Sequence, residues 1–311
     1  MKYSIRHKTT YNYSAPVHQS YHLLHLSPRE VPHQTVVSRR ITISPRSQLD
    51  WTGTDYFGNP FGILNLSTEH TCLIVDSEAV IEVVPQSLPK LDATAPWELL
   101  AEGRAVNAEF TQKDVWQFAA ASRHGRHVPD LAAYARTSFP GGCPVMVGVQ
   151  DLTRRIFEDF TFDATATDVS TPVEAVFKAR RGVCQDFAHL QIAALRTLNL
   201  PARYVSGYIM THPPEGQQKL QGADASHAWI SVWAPETGWV DFDPTNNVIP
   251  HGEHITIAYG RDFDDVCPIS GVLLGGGAHT VDAAVDVIPM LGPEGTGSPN
   301  DTARSGNPAP V

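Results

Sequence analysis

The N-terminal part of the chain alternates apolar and polar side chains with a period of two. The stretch "KYSIRHKTTYNY" places Tyr3, Ile5, His7, Thr9 and Tyr11 on one face of an extended chain. Further runs rich in Val, Ile and Thr follow, separated by turn-forming segments such as "DYFGNP". Several short strands without intervening helices predict a small all-β sandwich domain over residues 1–90.

The period changes after the breaker-rich segment "PQSLPKLDATAP". From there to about residue 200, apolar residues recur three and four positions apart, for example in "VPDLAAYART" and "VGVQDLTRRIFEDFTF". This spacing is typical of amphipathic helices. Another helix is predicted to begin at Thr171 and Pro172, because Glu174 follows three residues after the threonine.

Strand patterns return after "RTLNLPAR", in "ARYVSGYIM", "HAWISVWAP", "GWVDFDPTN" and "HITIAYG". Helices followed by strands predict an α+β domain with an antiparallel sheet, which we place at residues 91–290. Residues 291–311 are rich in Gly, Pro, Ser and Asn and have almost nothing to bury. They are predicted to form a disordered tail.

The composition excludes several classes of partner. The chain of 311 residues carries a formal charge of −10, whereas nucleic acids and anionic membranes attract clustered Lys and Arg. No window approaches the roughly 18 apolar residues of a membrane-spanning helix. Since "MKYSIRHKTTYNYS" also lacks the apolar run of a signal peptide, we expect a cytoplasmic protein.

Four cysteines are widely spaced and form no CxxC pair: Cys72, Cys143, Cys184 and Cys267. This spacing fits neither a zinc site nor a disulfide framework. We therefore expect free thiols in a reducing compartment, with no metal ion and no cofactor.

Cys184 has the sequence context of a nucleophile. In "RRGVCQDFAHL" it follows Gly182 and precedes the amphipathic pattern of a buried helix, so it falls in the first helical turn. The N-terminus of a helix carries partial positive charge and free N–H groups, which stabilise a thiolate and an oxyanion. A structural cysteine is the alternative, but the residues around Cys184 are mostly polar.

His227 is the preferred candidate for the general base. It opens the strand "HAWISVWAP" after small residues and lies among three tryptophans, although a structural histidine is also compatible with this pattern. The other histidines considered are on the wrong side of the helix, in a polar loop, or on opposite faces of a strand: His189, His124, His127, His22 and His25.

The next strand, "GWVDFDPTNN", offers several partners for the imidazole. Strand alternation puts Asp241 and Asp243 on one face. A tight hairpin would place His227 opposite about Asn246, so that Asp243 could reach it only through a bulge or an offset between the strands. Pairing alone favours Asn246, and spacing leaves the choice open.

Together, "RRGVCQDFAHL", "DASHAWISVW" and "GWVDFDPTNN" resemble the transglutaminase-like superfamily. The resemblance implies a papain-like core, with the cysteine on a helical lobe and the histidine and aspartate on an antiparallel sheet. It also implies that Asp243, in "DPT", completes a triad with Cys184 and His227. "DYFGNP" and "YGRDFDDVCPISGVLLGG" are similar to flanking regions of bacterial members, so the resemblance covers residues 1–290.

The resemblance implies a cysteine-dependent acyl-transfer enzyme that acts on peptide or amide bonds through a thioester, with a peptide or protein as its partner. Hydrolysis, as in a protease or amidase, is the favoured reaction. The alternatives are a protein-glutamine transglutaminase and a non-catalytic peptide-binding module. No calcium-binding loop is recognisable. Tyr208, Asp224 and Trp229 are proposed to line the substrate cleft because they lie near His227 in the sequence.

Overall fold

The fold was analysed in a computed structural model, which describes residues 1–47, 49–103, 112–211 and 226–290. The predicted tail at 291–311 lies outside these residues. Five strands come first in the chain: β1 Lys2–Leu24, β2 Gln34–Ser44, β3 Trp51–Thr54, β4 Pro60–Leu66 and β5 His70–Val83. A 3-10 turn, Leu91–Ala93, leads from them to the helices.

The central part of the chain is mostly helical, as its period predicts. Its elements are α1 Trp97–Ala101, α2 Gln112–Trp116, α3 Pro129–Arg136, α4 Val145–Asp159, β6 Thr161–Phe162, α5 Val173–Ala179, β7 Arg181–Gly182 and α6 Cys184–Thr197. The strands that follow are β8 Ala202–Ile209, β9 Ser226–Ala234, β10 Gly238–Phe242, β11 His254–Gly260, β12 Ile269–Gly275 and β13 His279–Met290, with a second 3-10 turn at Phe263–Asp265.

The N-terminal sheet is built around β1, which is 23 residues long. β5 pairs with β1 from Lys2 to Asn12, and β4 pairs with it from Ser20 to Leu24. Between these regions the register shifts near Pro16, whose nitrogen cannot donate a ladder hydrogen bond. The sheet curls there, and apolar side chains of β1, β2, β4 and β5 enclose a core of their own.

The C-terminal strands complete this N-terminal sheet. β13 pairs with residues 2–13 of β1, and β12 pairs with residues 17–24. Residues 269–290 therefore belong with the N-terminal sheet, although the sequence pattern groups them with the α+β domain at 91–290. The difference arises because alternation identifies a strand without identifying its partner.

The α+β core consists of α6 packed against a four-stranded antiparallel sheet in the order β10–β9–β8–β11. Almost all of α6 is buried, because α3, α4 and α5 pack against it in addition to the sheet. Side chains of the N-terminal sheet, including Tyr3 and Ile81, join the same apolar core. The predicted fold class, an α+β core preceded by an all-β domain, is confirmed.

Two side-chain amides connect the N-terminal sheet to the edge of β11. Asn59 donates to the carbonyl of Tyr259 (2.7 Å) and accepts from its N–H (2.8 Å). Gln34 makes the equivalent pair of bonds with Thr256, at 2.8 and 2.9 Å. Each amide thus replaces the backbone of a missing neighbouring strand and satisfies buried polar groups. This is the structural role of the asparagine in "DYFGNP".

Asn59→Ala is expected to reduce the free energy of unfolding by about 3 kcal/mol, because it leaves both backbone groups of Tyr259 buried without a partner. Urea denaturation followed by tryptophan fluorescence would measure the loss. Asn65→Ala in β4 is the matched control, since its side-chain oxygen has no hydrogen-bond partner. Equal stability of both variants and the wild type would contradict the proposed role of Asn59.

In the described part of the chain, no helix is both long and apolar enough to cross a membrane.

Candidate active site

Cys184 is the first residue of α6, as predicted. Asp186 caps this helix end: its Oδ2 accepts from the N–H of Val183 (2.8 Å) and from the hydroxyl of Thr167 (2.5 Å). A Cβ on Gly182 would come within 2.7 Å of the Asp186 carboxylate. Glycine is therefore required at position 182, because a side chain there would clash with the capping carboxylate. Gly182 itself is the last residue of β7, two positions before the helix begins.

His227 lies between Cys184 and Asp243. It is 7% exposed, and its Nε2 is 2.8 Å from Asp243 Oδ2, while its side chain also hydrogen-bonds that of Cys184. Since Nε2 is engaged by the carboxylate, Nδ1 is the nitrogen available to the thiol. Burial lowers the pKa of His227, but the bonds with Asp243 and Cys184 prevail and raise it to about 10.

Asp243 is fully buried and lies just beyond the end of β10. Its Oδ1 accepts from the N–H groups of Thr245 (2.9 Å) and Asn246 (3.2 Å), which form the turn that follows. Burial favours the protonated form, but hydrogen bonds from His227 and His254 hold the pKa of Asp243 well below its usual range. The carboxylate is consequently charged at neutral pH.

The register of the β9–β10 hairpin explains why Asp243, rather than Asn246, reaches the imidazole. Phe242 pairs with Ile230, and continuing this register places Asp243 opposite Trp229. Residues directly opposite share a face, as do Trp229 and His227, so Asp243 is a diagonal neighbour of His227. Of the two predicted routes, a bulge or an offset, the hairpin has no bulge and shows an offset: its register differs by one residue from the tight-hairpin estimate, which moves a side chain to the other face.

Asn246 belongs to the same cluster but makes its main contact with the carboxylate. Its Nδ2 donates to Asp243 Oδ2 (2.7 Å) and lies 3.3 Å from His227 Nε2. Because both nitrogens point at the same oxygen, the amide supports Asp243. It does not replace Asp243 beside the imidazole.

His254 is a member of the cluster that the sequence did not reveal. This first residue of β11 places its Nε2 2.9 Å from Asp243 Oδ2. Gly207 of β8 lies between Thr256 and His227 in the cross-strand row. A Cβ there would lie 2.4 Å from the Trp229 ring, so glycine lets this indole reach across β8 to the edge of His254. Finding His254 requires the strand order, which local patterns do not supply.

The three residues predicted to line the substrate cleft have other positions. Tyr208 is buried, and its hydroxyl lies 2.7 Å from His7 Nδ1, at the junction with the N-terminal sheet. Trp229 is also buried and donates to Asp241 (3.0 Å). Neither residue borders the cleft, because each side chain points into the protein from its strand. Asp224 lies outside the described residues.

A cleft of 520 Å³ opens over Cys184 and His227. Its described walls are largely apolar and come from the end of β8 and from the segment that leads to β11: Ile209, Met210, Val248, Ile249 and Pro250. Phe162 stands at the rim and is 56% exposed. The thiol of Cys184 therefore lies in the wall of an open, largely apolar cleft.

His189, rejected as the general base, has a structural position. It is buried, stacks on His124 with ring centres 4.8 Å apart, and accepts the N–H of Phe263 (3.2 Å). Burial lowers its pKa to about 3. This neutral histidine anchors the segment after β11 to α6.

Comparison with known proteins agrees with this geometry. The model of the "Bacterial transglutaminase-like N-terminal region" matches residues 3–82, and that of the "Transglutaminase-like superfamily" matches residues 144–244. Uncharacterized proteins of Mycobacterium tuberculosis and Mycobacterium bovis are each 36% identical over 300 residues, covering 94% of both chains compared.

Two further similarities are lower in sequence identity or cover a shorter part of the chain. A solved structure from Cytophaga hutchinsonii, described as a candidate cysteine protease, has the same fold, with a TM-score of 0.71 at 22% identity over 92% of this chain and 90% of that chain. A protein-glutamine gamma-glutamyltransferase of Pseudomonas aeruginosa is 35% identical over 92 residues, which are 29% of this chain and 14% of that protein.

The superfamily match supports a cysteine enzyme as the general kind of protein, and the thiol at a helix N-terminus beside an imidazole and a carboxylate is compatible with it. The chain belongs to the transglutaminase-like superfamily, in the bacterial group with an N-terminal β-domain. The resemblance noted in the sequence is thereby confirmed.

Proposed function

We propose that the protein is a cysteine-dependent hydrolase of peptide or amide bonds, with Cys184 as the nucleophile, His227 as the general base and acid, and Asp243 as the third member of the triad. The main support is the position of one buried imidazole, which bonds Asp243 through Nε2 and faces Cys184 with its other nitrogen. This arrangement matches the requirements for activating a weak nucleophile.

In the first step, the thiol proton of Cys184 moves to His227 Nδ1 and the sulfur attacks the carbonyl carbon of the substrate. The new oxyanion lies near the backbone N–H of Cys184 at the start of α6, where free N–H groups and the helix dipole favour negative charge. Asp243 stabilises the imidazolium and keeps Nε2 protonated.

In the second step, the imidazolium gives its proton to the leaving amine and the carbon–nitrogen bond breaks, which leaves a thioester on Cys184. His227 then removes a proton from water, and the hydroxide attacks the thioester. The carbon–sulfur bond breaks, the acid leaves, and the thiol regains its proton.

The cleft supports a peptide substrate. Its apolar walls near Cys184 favour an apolar side chain next to the bond that is cleaved. We also propose a cytoplasmic location, which fits the four free cysteines.

Transfer to an amine is the second candidate reaction, supported by the similarity to the Pseudomonas aeruginosa enzyme. Both reactions share the thioester, and the attacking molecule decides between them. Incubating the protein with a library of glutamine-containing peptides, with and without a primary amine, would distinguish them. Hydrolysis yields free acids in both samples, whereas transamidation yields amine adducts only in the second.

Iodoacetamide is expected to alkylate Cys184 at least about tenfold faster than the other cysteines at neutral pH, because only this thiol has an imidazole partner in an open cleft. Burial raises the pKa of Cys143 and Cys267, which slows their reaction. Mass spectrometry of proteolytic peptides would give the rate at each site. Similar rates at all four cysteines would contradict the proposal and favour a non-catalytic peptide-binding module.

A further inference from the structure

Asp243 Oδ2 is shared by two imidazoles. His227 Nε2 approaches it at 2.8 Å from β9, and His254 Nε2 approaches it at 2.9 Å from β11. The two rings are 5.8 Å apart, and both side chains are buried. A triad requires only the first of these contacts, so the second needs its own explanation.

The charge of Asp243 determines the tautomer of both rings. An ionised carboxylate can only accept, so His227 and His254 must each carry a proton on Nε2. His254 therefore supplies a permanent donor to the oxygen that serves His227. It does so from another strand, on the far side of β8.

The orientation of His254 is fixed independently of Asp243. The indole of Trp229 meets the His254 ring edge-on, with ring centres 5.0 Å apart and an angle of 83° between the planes. Trp229 is held in turn by Asp241, which accepts its Nε1–H at 3.0 Å. A donor held this rigidly can define the position of a carboxylate.

We propose that His254 is a positioning residue for the triad: its Nε2–H holds Asp243 Oδ2 in line with His227 and keeps this buried carboxylate ionised. The inference rests on the proposed function, because it assigns a role within that same site. His254 also borders the cleft, but its hydrogen bond goes to Asp243, so the proposed effect on Cys184 passes through Asp243 and His227.

A pH dependence follows from the balance at Asp243. Burial raises the pKa of this carboxyl group, and the hydrogen bonds from His227 and His254 lower it. These two histidines are the titratable groups that face it, and Cys184 acts on it through His227. Removing the His254 donor should make Asp243 easier to protonate, so the thiolate–imidazolium pair should be lost at a higher pH on acidification.

The test compares His254→Phe with His254→Gln. Phenylalanine keeps an aromatic ring against Trp229 but has no donor, whereas the glutamine amide can place an N–H near the position of Nε2. The rate of Cys184 alkylation by iodoacetamide is measured from pH 3 to 9, and urea denaturation checks that both variants fold.

In His254→Phe, the acid limb of the alkylation profile should move up by about one to two pH units, and the rate within that window should fall roughly ten- to a hundredfold. His254→Gln should restore most of the wild-type profile. A wild-type profile in the Phe variant, or equal displacement in both variants, would overturn the proposal, because the donor would then make no difference.

The failure of the proposed function gives a different result, namely slow alkylation of Cys184 in the wild type itself. His254 can still be tested in that case, by nuclear magnetic resonance of 15N-labelled histidine in a Cys184→Ala background. On acidification, the chemical shift of the proton on His227 Nε2 should lose its strong hydrogen-bond contribution at a higher pH in the Phe variant than in the Gln variant. Identical titrations would overturn the role of His254.

Discussion

Cys184→Ala should abolish turnover of any peptide or amide substrate, with a loss of roughly 10⁶-fold relative to the wild type. No other group of the site can form the thioester, since His227 and Asp243 only move or stabilise a proton. The free energy of unfolding should change by no more than about 1 kcal/mol, because Cys184 is the first residue of α6 and only partly buried. Steady-state kinetics and urea denaturation on the same samples would measure both effects.

The other three cysteines provide matched controls. Cys72, Cys143 and Cys267 are also free and partly buried, so each Cys→Ala variant changes the same chemical group outside the cleft. All three should retain activity. Near-wild-type turnover in Cys184→Ala would refute the mechanism, and loss of turnover without unfolding in one control would identify a different nucleophile.

The type of each element could be predicted because hydrophobic periodicity is a local property. Alternation identified the strands around Tyr3 and Ile5, and the helical spacing before Leu195 identified α6. The pairing of β12 and β13 with β1 could not be predicted in the same way, since it joins strands that are far apart in the sequence. Their alternation is compatible with a place in either sheet.

Site residues could be predicted from the sequence where their signal lies in a few neighbouring residues, and less well where it depends on strand pairing. Cys184 follows from one helix N-terminus and His227 from one strand end, and both can be recognised from a few neighbouring residues. The contact between Asp243 and His227 depends on the register of a hairpin, where an error of one residue reverses the face. Spacing left the choice open, and the family resemblance indicated Asp243, which is the residue that contacts His227 Nε2 at 2.8 Å.

The roles of His254 and Gly207 at the site could not be predicted from local sequence patterns, for a physical reason. His254 contacts Asp243 only because β8 separates β9 from β11 and Gly207 leaves room for an indole above that strand. Strand order is determined by packing over the whole sheet, and no local pattern encodes it. Likewise, Tyr208 and Trp229 are near His227 in sequence, yet strand geometry directs both into the interior.

Asp243→Asn should reduce the rate of thioester formation by up to about 10⁴-fold. The amide cannot stabilise the imidazolium, and its NH2 group can favour the wrong tautomer of His227. Burial already lowers the pKa of His227, and the variant loses the contribution of Asp243 that opposes it, so this pKa should fall from about 10. The imidazolium is the acid that protonates the leaving amine, and it is lost as pH rises through this pKa. The alkaline limb of kcat/KM should therefore move to lower pH.

Asn246→Ala is the control that separates the two candidates for the third position. It removes the 2.7 Å bond to Asp243 Oδ2 but leaves the carboxylate beside His227. The expected loss is about tenfold, as for one hydrogen bond to a charged group, with the alkaline limb little changed. Stopped-flow measurement of acylation between pH 6 and 11 would compare both variants. A severe loss in Asn246→Ala together with a mild one in Asp243→Asn would exchange their roles, and the carboxylate would then be a structural acceptor for His254 and the following turn.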